Sequence, residues 1–131
     1  MSGPILVVDD EPDMCWAMDC ILSSQGYSVV TATSGEQALA TLDQHDFFFV
    51  FMDAKLPDMD GLDVVRQARQ LRSGSVRTVL VSGFHYHDDP IIRQSIEIGL
   101  INGFLAKPFA HNELLEMLPR PDSPASDATL G

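Results

Sequence analysis

Along this 131-residue chain, short apolar runs alternate five times with stretches of helical period. The first run, residues 4–8, is continuous and short, as a strand covered on both faces requires. Residues 14–25 then set Met14, Trp16, Met18, Ile21 and Leu22 among polar positions at helical spacing, and Gly26 supplies a stop. Residues 27–31 read as a second strand. Ser34 is placed to cap a second helix, with Gln37 completing a capping box and Ala38, Leu39 and Leu42 forming the apolar stripe. The third strand spans 47–52 and the third helix 62–71, carrying Leu62, Val65, Ala68 and Leu71. A fourth pair follows at 77–81 and 90–98, with Pro90 suited to a first helical turn. The fifth is a strand at 103–106 and a helix at 111–118 capped from residues 109–111.

Strands alternating with helices give an α/β class with a parallel sheet covered on both faces. Right-handed crossovers make it a doubly wound five-stranded sheet, in the flavodoxin-like order 2-1-3-4-5. That order sets the first and third strands side by side at the switch point, where open sheets bind ligands beyond the strand ends. Chemistry-bearing residues fall at those ends. Asp9-Asp10-Glu11 follows the first strand and Asp53 the third, while Ser82 ends the fourth and Lys107 the fifth. All C-terminal ends of a parallel sheet lie on one edge, so these side chains converge. Three carboxylates suit a hard cation, and an ammonium with a hydroxyl suits a phosphoryl group. The loop after Asp53 cannot continue the strand, because Pro57 and Gly61 interrupt it. Asp58 and Asp60 read as its solvating groups, Glu11 as a residue favouring a helix N-terminus, and Phe47-Phe48-Phe49 as structural.

Composition narrows the function. The net charge is −11 with eight basic residues, which excludes direct nucleic-acid binding by clustered Lys and Arg. Hydrophobic content of 45% and charged content of 21% fit a globular domain with one core. Cys15 and Cys20 lie five apart on one helix, about 140° around its axis, so they cannot pair with each other. They read as buried or half-buried thiols in a reducing compartment. No apolar stretch approaches the roughly 20 residues of a membrane span, and no signal-peptide pattern opens the chain, so a cytoplasmic location is expected. The Pro-rich composition of 119–131 reads as a disordered tail or linker stub after a domain at 1–118. The sequence leaves open whether this is a whole protein or an excised domain.

The segments Ile5-Leu6-Val7-Val8-Asp9-Asp10-Glu11-Pro12, Phe51-Met52-Asp53-Ala54-Lys55-Leu56-Pro57-Asp58-Met59-Asp60-Gly61, Val81-Ser82-Gly83 and Phe104-Leu105-Ala106-Lys107-Pro108-Phe109 resemble the receiver domain of bacterial two-component response regulators. By that resemblance Asp53 is the phosphoacceptor, taking a phosphoryl group from a sensor histidine kinase or a phosphotransfer protein. The resemblance implies Mg²⁺ (or Mn²⁺) held by Asp10, Asp53 and the Lys55 backbone carbonyl, with Asp9 acting through water. Lys107, the Ser82 hydroxyl and the Ala54 backbone N–H would hold the phosphoryl oxygens. Pro108 would follow a cis peptide bond. Ser82 and Phe104 would form the switch, altering the face of the fourth helix, fifth strand and fifth helix. An output domain, a downstream protein or a second copy would read that face.

The stretch from Ser82 to Lys107 is longer than the family pattern, with the extra length expected at residues 84–89 and 99–103. Leu100 and Ile101, if exposed, would enlarge an apolar docking patch. Lys55 and Phe84 stand where the family tunes loss of the phosphoryl group, and Phe84 is expected to hinder the attacking water. The run of residues 85–89 has metal-ligand residue types but no distant partner, so it reads as a polar loop. Two other functions compete. A pseudo-receiver would keep the fold without the chemistry, against which the intact set speaks. An aspartyl-phosphate phosphatase or phosphotransferase of this fold type would carry an Asp where Lys55 stands.

Overall fold

The computed structural model describes residues 3–71, 76–83 and 89–118. The chain runs β1 (Ile5–Val8), α1 (Pro12–Ser24), β2 (Val29–Ala32), α2 (Gly35–Gln44), β3 (Phe49–Asp53), α3 (Gly61–Leu71), β4 (Arg77–Gly83), α4 (Pro90–Glu97), β5 (Gly103–Lys107) and α5 (His111–Glu116). The strands form one parallel sheet in the order β2-β1-β3-β4-β5, as the alternation of runs implied.

Side-chain period two along each strand divides the core in halves. Leu6, Val8, Val50, Met52 and Leu80 face Ala38 of α2, Val64 and Val65 of α3 and Ile92 of α4. Ile5, Val7, Phe49, Phe51, Val79, Val81 and Leu105 face Cys15, Met18 and Leu22 of α1 and Leu114 of α5. Phe49 and Phe51 meet at 4.9 Å between ring centroids. Each fully buried Leu, Ile or Phe contributes on the order of 1.5–3 kcal/mol, so this double-sided burial fixes the register.

The boundaries shift in ways that matter. Ser82 and Lys107 lie at the ends of β4 and β5, as the sequence implied, and Asp53 belongs to β3 rather than following it, because neighbours still offer pairing partners: Asp53 opposite Val81, Ser82 opposite Ala106, Gly83 opposite Lys107. β3 begins at Phe49 instead of residue 47, although Phe47 is buried too. α1 begins at Pro12, whose missing N–H costs nothing in a first turn. The capping box on α2 is displaced by one residue: Ser34 Oγ accepts from Gln37 N–H, but the Gln37 side chain accepts from Thr33 N–H rather than from Ser34. On α3 the buried positions are Val64 and Val65, whereas Leu71 is exposed, since the helix meets the sheet with its first half. Leu100 and Ile101 are buried, so they add nothing to a docking patch. Their turn folds back under α4, with Leu100 N–H donating to Ser95 O and the Asn102 side chain accepting from Thr78 N–H.

Candidate functional site

Asp9 is held more firmly than its place after β1 suggests. Its N–H donates to Ala32 O at 3.0 Å, prolonging the ladder to β2. Both carboxylate oxygens are engaged: Oδ1 accepts from Glu11 N–H at 2.9 Å and Oδ2 from Lys107 Nζ at 3.0 Å. Its carbonyl accepts from the Cys15 thiol at 3.2 Å. Asp9 is 1% exposed, and Asp10 beside it faces solvent.

Asp53 closes β3 at the same level of the sheet. Its Oδ1 accepts from Lys55 N–H at 3.2 Å, and its Oδ2 lies 3.5 Å from Lys107 Nζ. Carboxylate oxygens of Asp9, Asp10 and Asp53 lie within 4.8 Å of one another, a spacing that can hold one cation. Burial pushes the Asp53 carboxyl above its usual 3.8; Asp9 and Asp10 push the same way, against the Lys55 amide and Lys107. For Lys107, burial alone would lower the pKa. The hydrogen bond to Asp9 and the charges of Asp53, Asp9 and Glu11 outweigh it and hold the ammonium above its usual 10.5. Lys107 therefore stays charged and offsets part of the clustered negative charge.

The loop beyond Asp53 is folded tightly. Gly61 N–H donates to Ala54 O at 2.8 Å, and a Cβ on Gly61 would collide with the Asp53 carbonyl, so only glycine allows this approach. Ala54 N–H, expected to hold a phosphoryl oxygen, donates instead to Val81 O at 2.8 Å, because the ladder to β4 continues one residue beyond β3. The amide aimed at the Asp53 carboxylate is that of Lys55. The Lys107–Pro108 peptide bond is cis.

Ser82 is buried and opens onto a cleft of about 340 Å³ between the loop after β3, α3 and the start of α4, shared with Ala54, Lys55 and Asp60. Phe104 is half-buried on the sheet face of Leu80 and Ser82, opposite Leu80 in the neighbouring strand. Phe84 and residues 85–88 lie outside the described residues, so neither the water-blocking expectation nor the loop reading is addressed. Asp89, the last residue of that run, caps α4 by accepting from Ile91 N–H.

Three features escaped the sequence reading. Cys15 anchors the residue that carries the first carboxylate, where helical register alone indicated only a buried thiol. Cys20, read as at least half-buried, is exposed because its position on α1 turns away from the sheet. Asp58, read as a solvating group, accepts from Gly35 N–H at 2.8 Å and Glu36 N–H at 2.9 Å. Those two amides pull its carboxyl below the usual range. No local signal could reveal this contact, since its partners stand more than 20 positions earlier.

A doubly wound sheet whose switch-point crevice gathers three carboxylates and an ammonium defines a class of phosphate- or metal-handling α/β domains. The comparisons narrow that class. The response regulator receiver domain family model matches residues 5–119, and the chain belongs to that family. The transcriptional regulatory protein KdpE of Mycobacterium tuberculosis is 33% identical over 114 residues, 87% of this chain and 48% of KdpE. This chain thus spans about half the length of that relative. Sporulation initiation phosphotransferase F of Bacillus subtilis is 27% identical over 120 residues, covering 92% of this chain and 94% of that protein. Among solved structures, the response regulator protein TrrA of Thermotoga maritima, in complex with Mg²⁺ and BeF, superposes with a TM-score of 0.75 at 29% identity. The match covers 88% of this chain and 99% of TrrA.

Proposed function

We propose that the protein accepts a phosphoryl group on Asp53 from the phosphohistidine of a sensor histidine kinase or a phosphotransfer protein, and signals through the change that follows. The observation that carries this reading is the Lys107 ammonium, within reach of both Asp9 and Asp53. An ammonium so placed can neutralise a phosphoryl oxygen on Asp53 while remaining anchored to Asp9. The Asp53 Oδ1 oxygen faces the Lys55 amide, and the Ser82 hydroxyl lines the adjoining cleft; both can donate to phosphoryl oxygens.

The donor set is all oxygen and partly exposed, which fits Mg²⁺ (or Mn²⁺) retaining waters. Asp10, Asp53 and the Lys55 carbonyl would hold it directly. Asp9, with both oxygens already engaged, is left to act through water. Bound there, the metal supplies charge neutralisation of the acids and of the incoming phosphate. Phosphotransfer through one Asp needs no external substrate pocket, so the chain acts as a switch that promotes its own phosphorylation and slow dephosphorylation rather than as an enzyme on other substrates.

The output face is proposed at α4, β5 and α5, where Ser82 moving toward the phosphate would free space for Phe104. Ile91, Ile96 and Ile98 of α4 and its C-terminal cap are exposed and offer an apolar surface to a downstream protein, an output domain or a second copy. No helix among the described residues is long and apolar enough to cross a membrane, and the proposed place of action is the cytoplasm.

Incubation with acetyl phosphate and Mg²⁺, followed by intact and peptide mass spectrometry, tests the reading. One phosphoryl mass on the peptide carrying Asp53, absent from Asp53→Asn, is expected. A folded, metal-loaded protein that gains no such mass refutes it, and catalytic turnover of an external phosphoester points to the hydrolase class instead.

A further inference from the structure

The Asp58 carboxylate spans two parts of the fold that share no strand. It projects from the loop between β3 and α3 and takes the first two amides of α2, Gly35 and Glu36, one on each oxygen. Charge-assisted bonds to helix N-terminal amides are strong and directional. The contact is reinforced next door. Met59 covers Gly35 so closely that any Cβ there would overlap its thioether, and Val64 of α3 closes the other side. The same loop carries Lys55, whose amide meets Asp53 and whose carbonyl belongs to the ligand set proposed above. Between Lys55 and Asp58 the loop has little freedom, because Leu56 N–H donates to Met59 O, Lys55 bridges to Asp60, and Gly61 N–H returns to Ala54 O.

We infer that Asp58 is a positioning residue that couples the acid site to the first turn of α2 through its bonds to the Gly35 and Glu36 amides, so that metal binding tightens those two bonds and their loss weakens metal binding. The inference rests on the metal site proposed above and extends it to a surface away from α4. Coupling of this kind is reciprocal: the factor by which the latch strengthens Mg²⁺ binding is the factor by which Mg²⁺ strengthens the latch. The ordinary cap of α2, Ser34 accepting from Gln37 N–H, is a bond within the helix's own first turn and serves as the control.

The test compares wild type, Asp58→Ala, Asp58→Asn and Ser34→Ala, using Mg²⁺ titration by calorimetry and amide hydrogen exchange at Gly35 and Glu36 with and without Mg²⁺. Loss of an outer contact that orients a ligand typically weakens metal binding by 10-fold or more; acting here through a loop, Asp58→Ala is expected to weaken it about three- to tenfold. Asp58→Asn keeps the shape and one acceptor, and falls between. Ser34→Ala removes a capping bond to Gln37 and keeps both Asp58 bonds, so it leaves Mg²⁺ affinity unchanged. In the wild type Mg²⁺ slows exchange at Gly35 and Glu36, and in Asp58→Ala it does not. Equal Mg²⁺ affinity of wild type and a folded Asp58 variant overturns the inference, as does an equal loss in Ser34→Ala. Should Asp58→Ala fail to fold, Asp58→Asn decides. A wild type that binds no Mg²⁺ refutes the site reading itself, and the coupling with it.

Discussion

Replacing Lys107 by methionine keeps the length and apolar stem of the side chain and removes its charge, so it isolates what the ammonium does. The ammonium stands 3.0 Å from Asp9 Oδ2 and 3.5 Å from Asp53 Oδ2. At about 4 Å and an effective dielectric near 20, one such pair is worth about 4 kcal/mol before desolvation is counted. Removing one partner of a buried pair costs about 3–5 kcal/mol, chiefly because the other charge is left buried alone. The Lys107 side chain retains 23% exposure while that of Asp9 has 2%. Solvent therefore screens the ammonium in part, and the expected loss is about 2–3 kcal/mol, or about 10 °C in Tm for a domain of this size. That loss belongs to protein in EDTA. A divalent cation among Asp9, Asp10 and Asp53 takes over the missing positive charge, and a ligand at 100 times its Kd adds about 2.7 kcal/mol. Lys107→Met, with its acids no longer neutralised, should bind Mg²⁺ more tightly than wild type and recover most of the deficit. Urea unfolding at pH 7 in EDTA and in saturating Mg²⁺ measures both numbers. A deficit that is the same in the two buffers, or weaker Mg²⁺ binding by the variant, would falsify the charge-balance account of the site.

Two further outcomes follow from the same geometry. Asp53 has a folded pKa above its ordinary 3.8, so its native form binds the proton more tightly and favours folding at acid pH. That contribution is lost as pH rises through the raised value, and ionised Asp53 then weighs against the fold. In EDTA, Asp53→Asn should therefore be more stable than wild type at pH 7, with the gap closing below about pH 4; urea midpoints at the two pH values check it, and a gap that widens in acid contradicts it. Gly61→Ala forces a methyl against the Asp53 carbonyl and should cost about 2 kcal/mol, despite the better helix propensity of alanine. It should also depress phosphorylation by acetyl phosphate, and a variant as stable and reactive as wild type shows that the loop can relax.

The sheet was legible because β1, β3 and most of β4 are buried on both faces and so read as nearly unbroken apolar runs, with polar residues at or just beyond their ends. Strand ends were less legible. Asp53 and Lys107 look like stops in sequence, yet parallel neighbours still pair with them, and pairing is decided across the sheet. The convergence of Asp9, Asp10, Asp53 and Lys107 followed from topology alone. Which backbone amide faces Asp53 did not, since the Ala54 amide is drawn to Val81 by a ladder that no local pattern announces. Asp58 was misread for a related reason: its chemistry lies in a helix start on a different βα unit. Leu100 and Ile101 went inward because the turn after α4 doubles back, a path set by Ser95 and Asn102 rather than by hydropathy.

The ion pair between Asp9 and Lys107 joins residues 98 positions apart, and β5 reaches the sheet only through β4. A chain emerging from the ribosome thus owns its acids long before it owns their counter-charge. Until the last strand docks, the crevice is an anionic patch that lacks the Lys107 ammonium. Under the proposed function, competence for phosphorylation then arrives late, and chemical labelling of Asp53 would read out completed folding as well as signalling.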